Sequence, residues 1–142
     1  MTKEKPFKVK IYYEDTDAGG LVYHSNYFRY AERARTEWLH DMGIFHKDLA
    51  KLPEPVGFAL RECSATFLKP SVLEDELSVI TKIKELKGAT CTIIQEFYNK
   101  GELATVVTVK LVCIGINDMK PKRYPEIFVK AAQKEIEKNK GE

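Results

Sequence analysis

The segment from about Ser25 to Met42 contains neither proline nor glycine and repeats its apolar residues at helical spacing: Tyr27, Tyr30, Ala31, Ala34, Trp38 and Met42. It is the only strong long helix before the C-terminal tail, and it stands among segments that read as strand. That combination leaves few packings, because a sheet has an apolar face that needs cover and one broad apolar helix can supply it. Phe28 and Leu39 widen the helix beyond a single stripe, which predicts burial on more than one side. Ser25 or Asn26 suits the N-cap, and Gly43 ends the run.

Before the helix, Phe7, Val9, Ile11 and Tyr13 alternate with Lys8, Lys10 and Tyr12, the period of a half-buried strand. After it comes a loop with Pro53 and Pro55, then four β-rich segments: about Val56 to Leu68, Glu76 to Leu86, Ala89 to Tyr98 and Leu103 to Ile114. The short glycine-bearing separators LKGA and NKGE make the last three consecutive antiparallel hairpins. A C-terminal helix is expected over about 125–138, fraying into KNKGE. The expected fold is therefore α+β: one domain over 1–142, core about 7–124, with a five-stranded antiparallel sheet wrapped around one long central helix. The last strand, ATVVTVKLVCIG, is apolar on both faces, which predicts that a second subunit covers it or extends the sheet.

Charge and cysteines narrow the function. The 23 basic and 21 acidic residues are interspersed, so there is no single-sign field and no nucleic-acid partner is expected. No apolar run is long enough to span a bilayer, and the start, MTKEKPFKVKIYYED, carries no leader-like segment. A cytoplasmic protein is the expectation. Cys63, Cys91 and Cys113 are odd in number, far apart and form no CxxC pair, so they read as reduced thiols inside strands.

The chemistry gathers at the helix entrance, EDTDAGGLVYHSN. A strand feeding a glycine turn and then a helix puts the turn beside unsatisfied N–H groups and the positive end of the helix dipole, which suits an oxyanion. Asp17 stands just before Gly19-Gly20, where the chain can bend enough to aim a carboxylate and helix-entrance amides at one carbonyl carbon; Glu14 and Asp15 are less well placed. The plain alternative is a solvated turn, since Asp and Gly favour turns for local reasons. An EF-hand loop fails because its twelfth position would be Asn26 rather than Glu. A haloacid-dehalogenase-like D-x-D phosphatase fails at Gly19 and on chain length. A metal held by Asp15, Asp17 and His24 is conceivable, but no spacing selects it. His24 is either a polar residue at a helix start or a group that orients substrate or water. His40 and His46 read as structural, ERARTE as a solvated or interface helix face, and Lys69 as a surface lysine.

The order D-x-D-x-x-G, V-Y-H-x-x-Y, E-R-A-R-T-E within YYEDTDAGGLVYHSNYFRYAERARTEWL closely resembles the signature of the YbgC-type acyl-CoA thioesterases, in the 4-hydroxybenzoyl-CoA thioesterase branch of the hotdog-fold proteins. FLKPSVLEDEL continues the similarity, and the strand order fits to about Tyr124. The resemblance implies hydrolysis of an acyl-CoA thioester to a free acid and CoA without metal or organic cofactor, in dimers often paired into tetramers. It implies Asp17 as catalytic carboxylate, with His24 at the same centre. A backbone amide near Tyr23 and His24 would polarise the carbonyl, Gly20 would lie in the substrate-binding turn, and Arg61 and Lys69 are candidates for the CoA phosphates. The partner's strand 56–68 would line the acyl pocket. The alternative is a hotdog module that binds acyl groups, acyl-carrier protein or a partner complex without efficient turnover. A dehydratase on this fold lacks its motif: Arg29 stands five residues after His24, where glycine is needed.

Overall fold

The computed structural model describes residues 5–140. In chain order the elements are β1 (Phe7–Lys10), a 3-10 turn (Tyr13–Asp15), α1 (Asn26–Asp41), α2 (His46–Leu49), β2 (Val56–Phe67), β3 (Glu76–Lys87), β4 (Thr90–Asn99), β5 (Glu102–Gly115) and α3 (Glu126–Lys140). The strands form one antiparallel sheet in the order β1-β3-β4-β5-β2, so β1 and β2 are the edges. Register on one edge is explicit: Phe7 faces Val79 and Val9 faces Leu77. This is the α+β arrangement expected from one long helix among strands. Among the described residues no helix is long and apolar enough to cross a membrane.

The hairpins follow local turn chemistry. Between β4 and β5, Lys100 and Gly101 both have positive φ, 52° and 81°, the pair of values that lets a two-residue turn match the strand twist. Two expectations are corrected. β1 ends at Lys10 rather than Tyr13, because the Tyr12 N–H is taken by the Asp15 carboxylate (2.9 Å) and the chain coils into the 3-10 turn. Ile11 stays buried, but Tyr13 turns outward, 81% exposed. The loop after α1 contains the short helix α2, with His40 stacked on Phe45 and His46 edge-on to Phe58. β5 lies between β4 and β2, its residues mostly alternating buried and half-buried, and exposed apolar side chains stand on edge strand β2 and just past its end: Leu60, Phe67 and Leu68. The C-terminal helix, expected to fray in KNKGE, runs to Lys140; Gly141, Glu142 and the first four residues of MTKEK lie outside the described residues.

Backbone contacts gather into two compact units. The first comprises the chain up to Trp38 with Ser64–Thr81 and Gln95–Val107. Its α1 face buries Tyr27, Tyr30, Ala31 and Ala34, the spacing read from the sequence. Beneath it lies a buried amide: Gln95 Nε2 donates to the Ala31 carbonyl (2.8 Å) and to Thr81 Oγ1 (3.1 Å), while its Oε1 accepts from Arg35 Nη1 (2.9 Å). Arg35 is thus the exception in ERARTE, turned inward rather than solvated. The second unit comprises Leu39–Cys63, Lys82–Ile94 and Thr108 onward. Phe58, Tyr124 and Phe128 form its aromatic cluster, with ring centroids 4.6 to 5.2 Å apart, and the Tyr124 hydroxyl donates to the Leu111 carbonyl (2.9 Å). Burial pushes the Cys91 thiol up to about 12 and the Cys113 thiol up to about 11, which suits inert thiols packed as small hydrophobes. Cys63, in β2, is exposed.

Gln95 is fully buried and satisfied at both ends, one of its bonds coming from a charged donor. Replacing Gln95 with Leu removes all three bonds, at a cost of about 2 kcal/mol of unfolding free energy. Urea denaturation at unchanged m-value measures this; an unchanged midpoint would mean that the amide network does not hold α1 to the sheet.

Candidate active site

The site is built on the first unit by one loop, from the end of β1 to the start of α1. Ile11 anchors its beginning: its N–H donates to the Asp75 carbonyl (2.9 Å) and its carbonyl accepts from Glu74 N–H (3.0 Å). The 3-10 turn closes reciprocally, with Asp15 N–H on the Tyr12 carbonyl and the Asp15 carboxylate on Tyr12 N–H (both 2.9 Å). Thr16 Oγ1 adds a bond to the Tyr13 carbonyl (2.9 Å).

Asp17 heads the tight part of the loop. Its N–H donates to the Leu21 carbonyl (2.8 Å), and its Oδ1 accepts from Gly19 N–H (2.8 Å) and Leu21 N–H (3.2 Å). Gly20, φ +82°, makes the reversal and donates to the Asp17 carbonyl (3.0 Å). One carboxylate oxygen is therefore pinned. The other has no partner among the described residues, and the side chain is exposed.

The return into α1 depends on the Asp15 carbonyl, which accepts both Tyr23 N–H (3.0 Å) and Asn26 Nδ2 (2.8 Å). Two consequences follow for residues singled out in the sequence. Asn26 is the first helical residue, and its side chain ties down the loop rather than capping the helix. The Tyr23 amide is already spent, so it is not available as an oxyanion donor. The His24 and Ser25 amides have no hydrogen bond among the described residues, and they sit at the helix entrance, where a developing negative charge is favoured.

Beside this entrance lies a cleft of about 290 Å³. Leu21, Val22, Tyr27, Phe67 and Leu68 give it apolar walls, and His24, Lys69 and Ser71 are its polar members. The His24 ring is exposed and lies against Tyr23 (4.6 Å) and Phe67 (6.5 Å). The structure thus brings His24 and Lys69 to one cleft. Asp17 and Gly20 form the loop that delivers two of its walls without lining it themselves, and Arg61, exposed on β2, belongs to the second unit and is not among its lining residues. Lys69 is not a bare cation: it is hydrogen-bonded and ion-paired to Glu102, and that contact holds the Glu102 carboxyl below the usual carboxylate range. Among the described residues no three His, Cys, Asp or Glu side chains gather as a metal site, so Asp15, Asp17 and His24 do not form one.

Sequence reasoning missed the support behind the cleft. Val22 N–H donates to the carbonyl of Ser71, a buried residue. Asn99 Nδ2 reaches both Ser71 Oγ (3.2 Å) and Asp75 Oδ2 (2.9 Å). Asp75 Oδ2 also accepts Val72 N–H (3.0 Å), and these two bonds, the backbone one first, hold its carboxyl below the usual range. The only sequence signal was the acidic turn in FLKPSVLEDEL; nothing in the hairpin marks Asn99.

The family model for the thioesterase-like superfamily matches residues 12–132. The chain is 37% identical to acyl-CoA thioesterase YbgC of Haemophilus influenzae, over 89% of this chain and 91% of that one. It is 36% identical to acyl-CoA thioester hydrolase YbgC of Escherichia coli, over 85% and 90%. Among solved structures, a probable thioesterase from Bartonella henselae superposes with a TM-score of 0.80 at 30% identity, covering 87% of this chain and all of that one. The DHNA-CoA thioesterase of Staphylococcus aureus, at 24% identity, shares the fold with a TM-score of 0.86 over 96% of this chain and 94% of that one. With the loop from Tyr12 to Asn26 inside the matched span, the chain belongs to the thioesterase-like superfamily of hotdog-fold proteins, in its YbgC-type branch.

Proposed function

We propose that this protein hydrolyses acyl-CoA thioesters to a carboxylic acid and CoA, with Asp17 as the catalytic carboxylate and the His24 main-chain amide as oxyanion donor. The observation that carries the reading is the division of labour within one loop: Asp17 has one oxygen pinned by two amides and one left without a partner, and the His24 amide is unspent where Tyr23's is not. The names of the YbgC relatives support the substrate class.

Two chemical routes use the same groups. In one, the outer Asp17 oxygen attacks the thioester carbon, CoA leaves as thiolate, and water cleaves the mixed anhydride. In the other, Asp17 takes a proton from a water that attacks directly, and the proton passes to the departing sulfur. In both, negative charge grows on the carbonyl oxygen and meets the helix-entrance amide. A thioester is activated enough that neither route calls on a metal or an organic cofactor. The His24 ring borders the cleft and orients substrate or water there, while the apolar walls take the acyl chain. Lys69, paired with Glu102, and Arg61, exposed on β2, are the candidates for the CoA phosphates.

Assembly belongs to the same proposal. β2 is an edge strand, Val56–Phe67, with Leu60 54% exposed, and an uncovered edge of that length is a template for pairing. A homodimer formed along β2, or a tetramer built from two such dimers, would satisfy that edge. Sedimentation velocity at micromolar concentration is expected to give a dimer or tetramer for the wild type and a smaller species for Glu62→Pro, which removes a ladder donor. A monomeric wild type would contradict the assembly.

Asp17→Asn is the most informative substitution, because the amide oxygen can still accept from Gly19 and Leu21 while the carboxylate is lost. Thiol release from a panel of acyl-CoAs should fall by about a hundredfold or more, with circular dichroism unchanged. Full activity in the variant would remove Asp17 from the mechanism. No turnover by the wild type on any acyl-CoA would bring forward a module that binds acyl groups or acyl-carrier protein.

A further inference from the structure

A second cleft, larger than the first at about 370 Å³, lies on the other side of the same loop, between β1 and the start of α1. Lys8 and Lys10 line it from β1, and Arg29 and Arg33 line it from α1. Among the described residues only two carboxylates, Glu14 and Asp15, border it. Lys8 is held on Ser78 Oγ (2.9 Å), but Lys10, Arg29 and Arg33 form no ion pair among the described residues. Arg29 and Arg33 are four residues apart on one helix face, a like-charge spacing that costs stability unless an anion joins them.

Tyr30 lines the same cleft and gives the second, independent sign. Its residue is 2% exposed, yet its hydroxyl has no hydrogen-bond partner of good geometry among the described residues. Buried polar groups are nearly always satisfied, so an orphan bordering a cleft points to something that completes it. Burial first, and then the Asp15 carboxylate beside it, push the phenol's pKa well above its ordinary value. A protonated hydroxyl and a carboxylate that sit side by side can together bind a guest hydroxyl, one donating to it and the other accepting from it.

We infer that this cleft binds a phosphorylated small molecule, its phosphate held by Arg29, Arg33 and Lys10 and a hydroxyl of the guest bridging Tyr30 and Asp15. Paired guanidiniums favour phosphate because their forked donors match its oxygens, and the scarcity of apolar lining disfavours a fatty acid. A phosphorylated ribose carries both required groups. It can come from a free nucleotide or from the phosphorylated end of CoA. The inference does not rest on the thioesterase reading, since neither Asp17 nor His24 lines this cleft.

Isothermal titration calorimetry of the full chain at low salt, with inorganic phosphate, ADP and adenosine 3′,5′-bisphosphate as probes, tests it. The wild type should bind the nucleotides more tightly than phosphate, and Arg29→Gln/Arg33→Gln should lose about tenfold or more for all three, about 1.4 kcal/mol or more. Preference for the bisphosphate over ADP would indicate CoA as the source, and the reverse a free nucleotide. Tyr30→Phe should bind nucleotides several-fold more weakly, keep its affinity for phosphate, and melt no lower than the wild type, because an unsatisfied hydroxyl is removed. The proposal is overturned if no probe binds at millimolar concentration, if binding survives the double arginine variant, or if Tyr30→Phe binds nucleotide as the wild type does, which would leave a bridging water as the only occupant. It is equally overturned if the arginine variant changes the oligomeric state while affinity holds, because a second copy's carboxylates would then be the true partners.

Discussion

The carbonyl of Asp15 is the small contact on which the site depends. By accepting Tyr23 N–H and Asn26 Nδ2 at once, it ties the end of the 3-10 turn to the beginning of α1 and so closes the loop that carries Asp17. The same contact decides which amides remain available. Tyr23's donor is consumed, and those of His24 and Ser25 are left at the positive end of the helix dipole. Donors fixed before substrate arrives need no reorganisation during reaction, which is why such an arrangement stabilises developing charge better than water does.

The loop does not stand alone. Val22 is tied to Ser71, and Ser71 and Asp75 are gathered by Asn99, so the turn after β2 is pinned to β4 and to the loop that carries Asp17 together. Gln95, on the same strand, fixes α1 from below through Ala31 and Arg35. β4 thus supports both sides of the helix entrance with uncharged amides, whose hydrogen bonds are directional and avoid the desolvation cost of buried ions.

What could be read in advance was what is local. The period of α1, the glycine turns of the hairpins and the Asp17 loop all rest on neighbouring residues, and each stands close to where the sequence put it. The alternation through Tyr13 misled because the Asp15 side chain competes for the Tyr12 amide and ends the strand early. A sequence does not say which strand becomes an edge, so the exposed apolar side chains at the β2 edge could not be foreseen. Asn99 was invisible since its contact with Ser71 spans 28 residues of chain. Choosing between the Tyr23 and His24 amides required knowing where the Asp15 carbonyl points.

In the proposed mechanism the His24 main-chain amide, and not Tyr23's, receives the thioester oxygen. Backbone ¹⁵N–¹H NMR of the protein titrated with a non-hydrolysable acyl-CoA ketone, in which a methylene separates sulfur and carbonyl, tests it directly. A downfield shift of the His24 N–H is expected as the ketone oxygen binds, with the Tyr23 N–H nearly unmoved on the Asp15 carbonyl. A large shift at Tyr23 with none at His24, or saturating binding that leaves both unmoved, would contradict it.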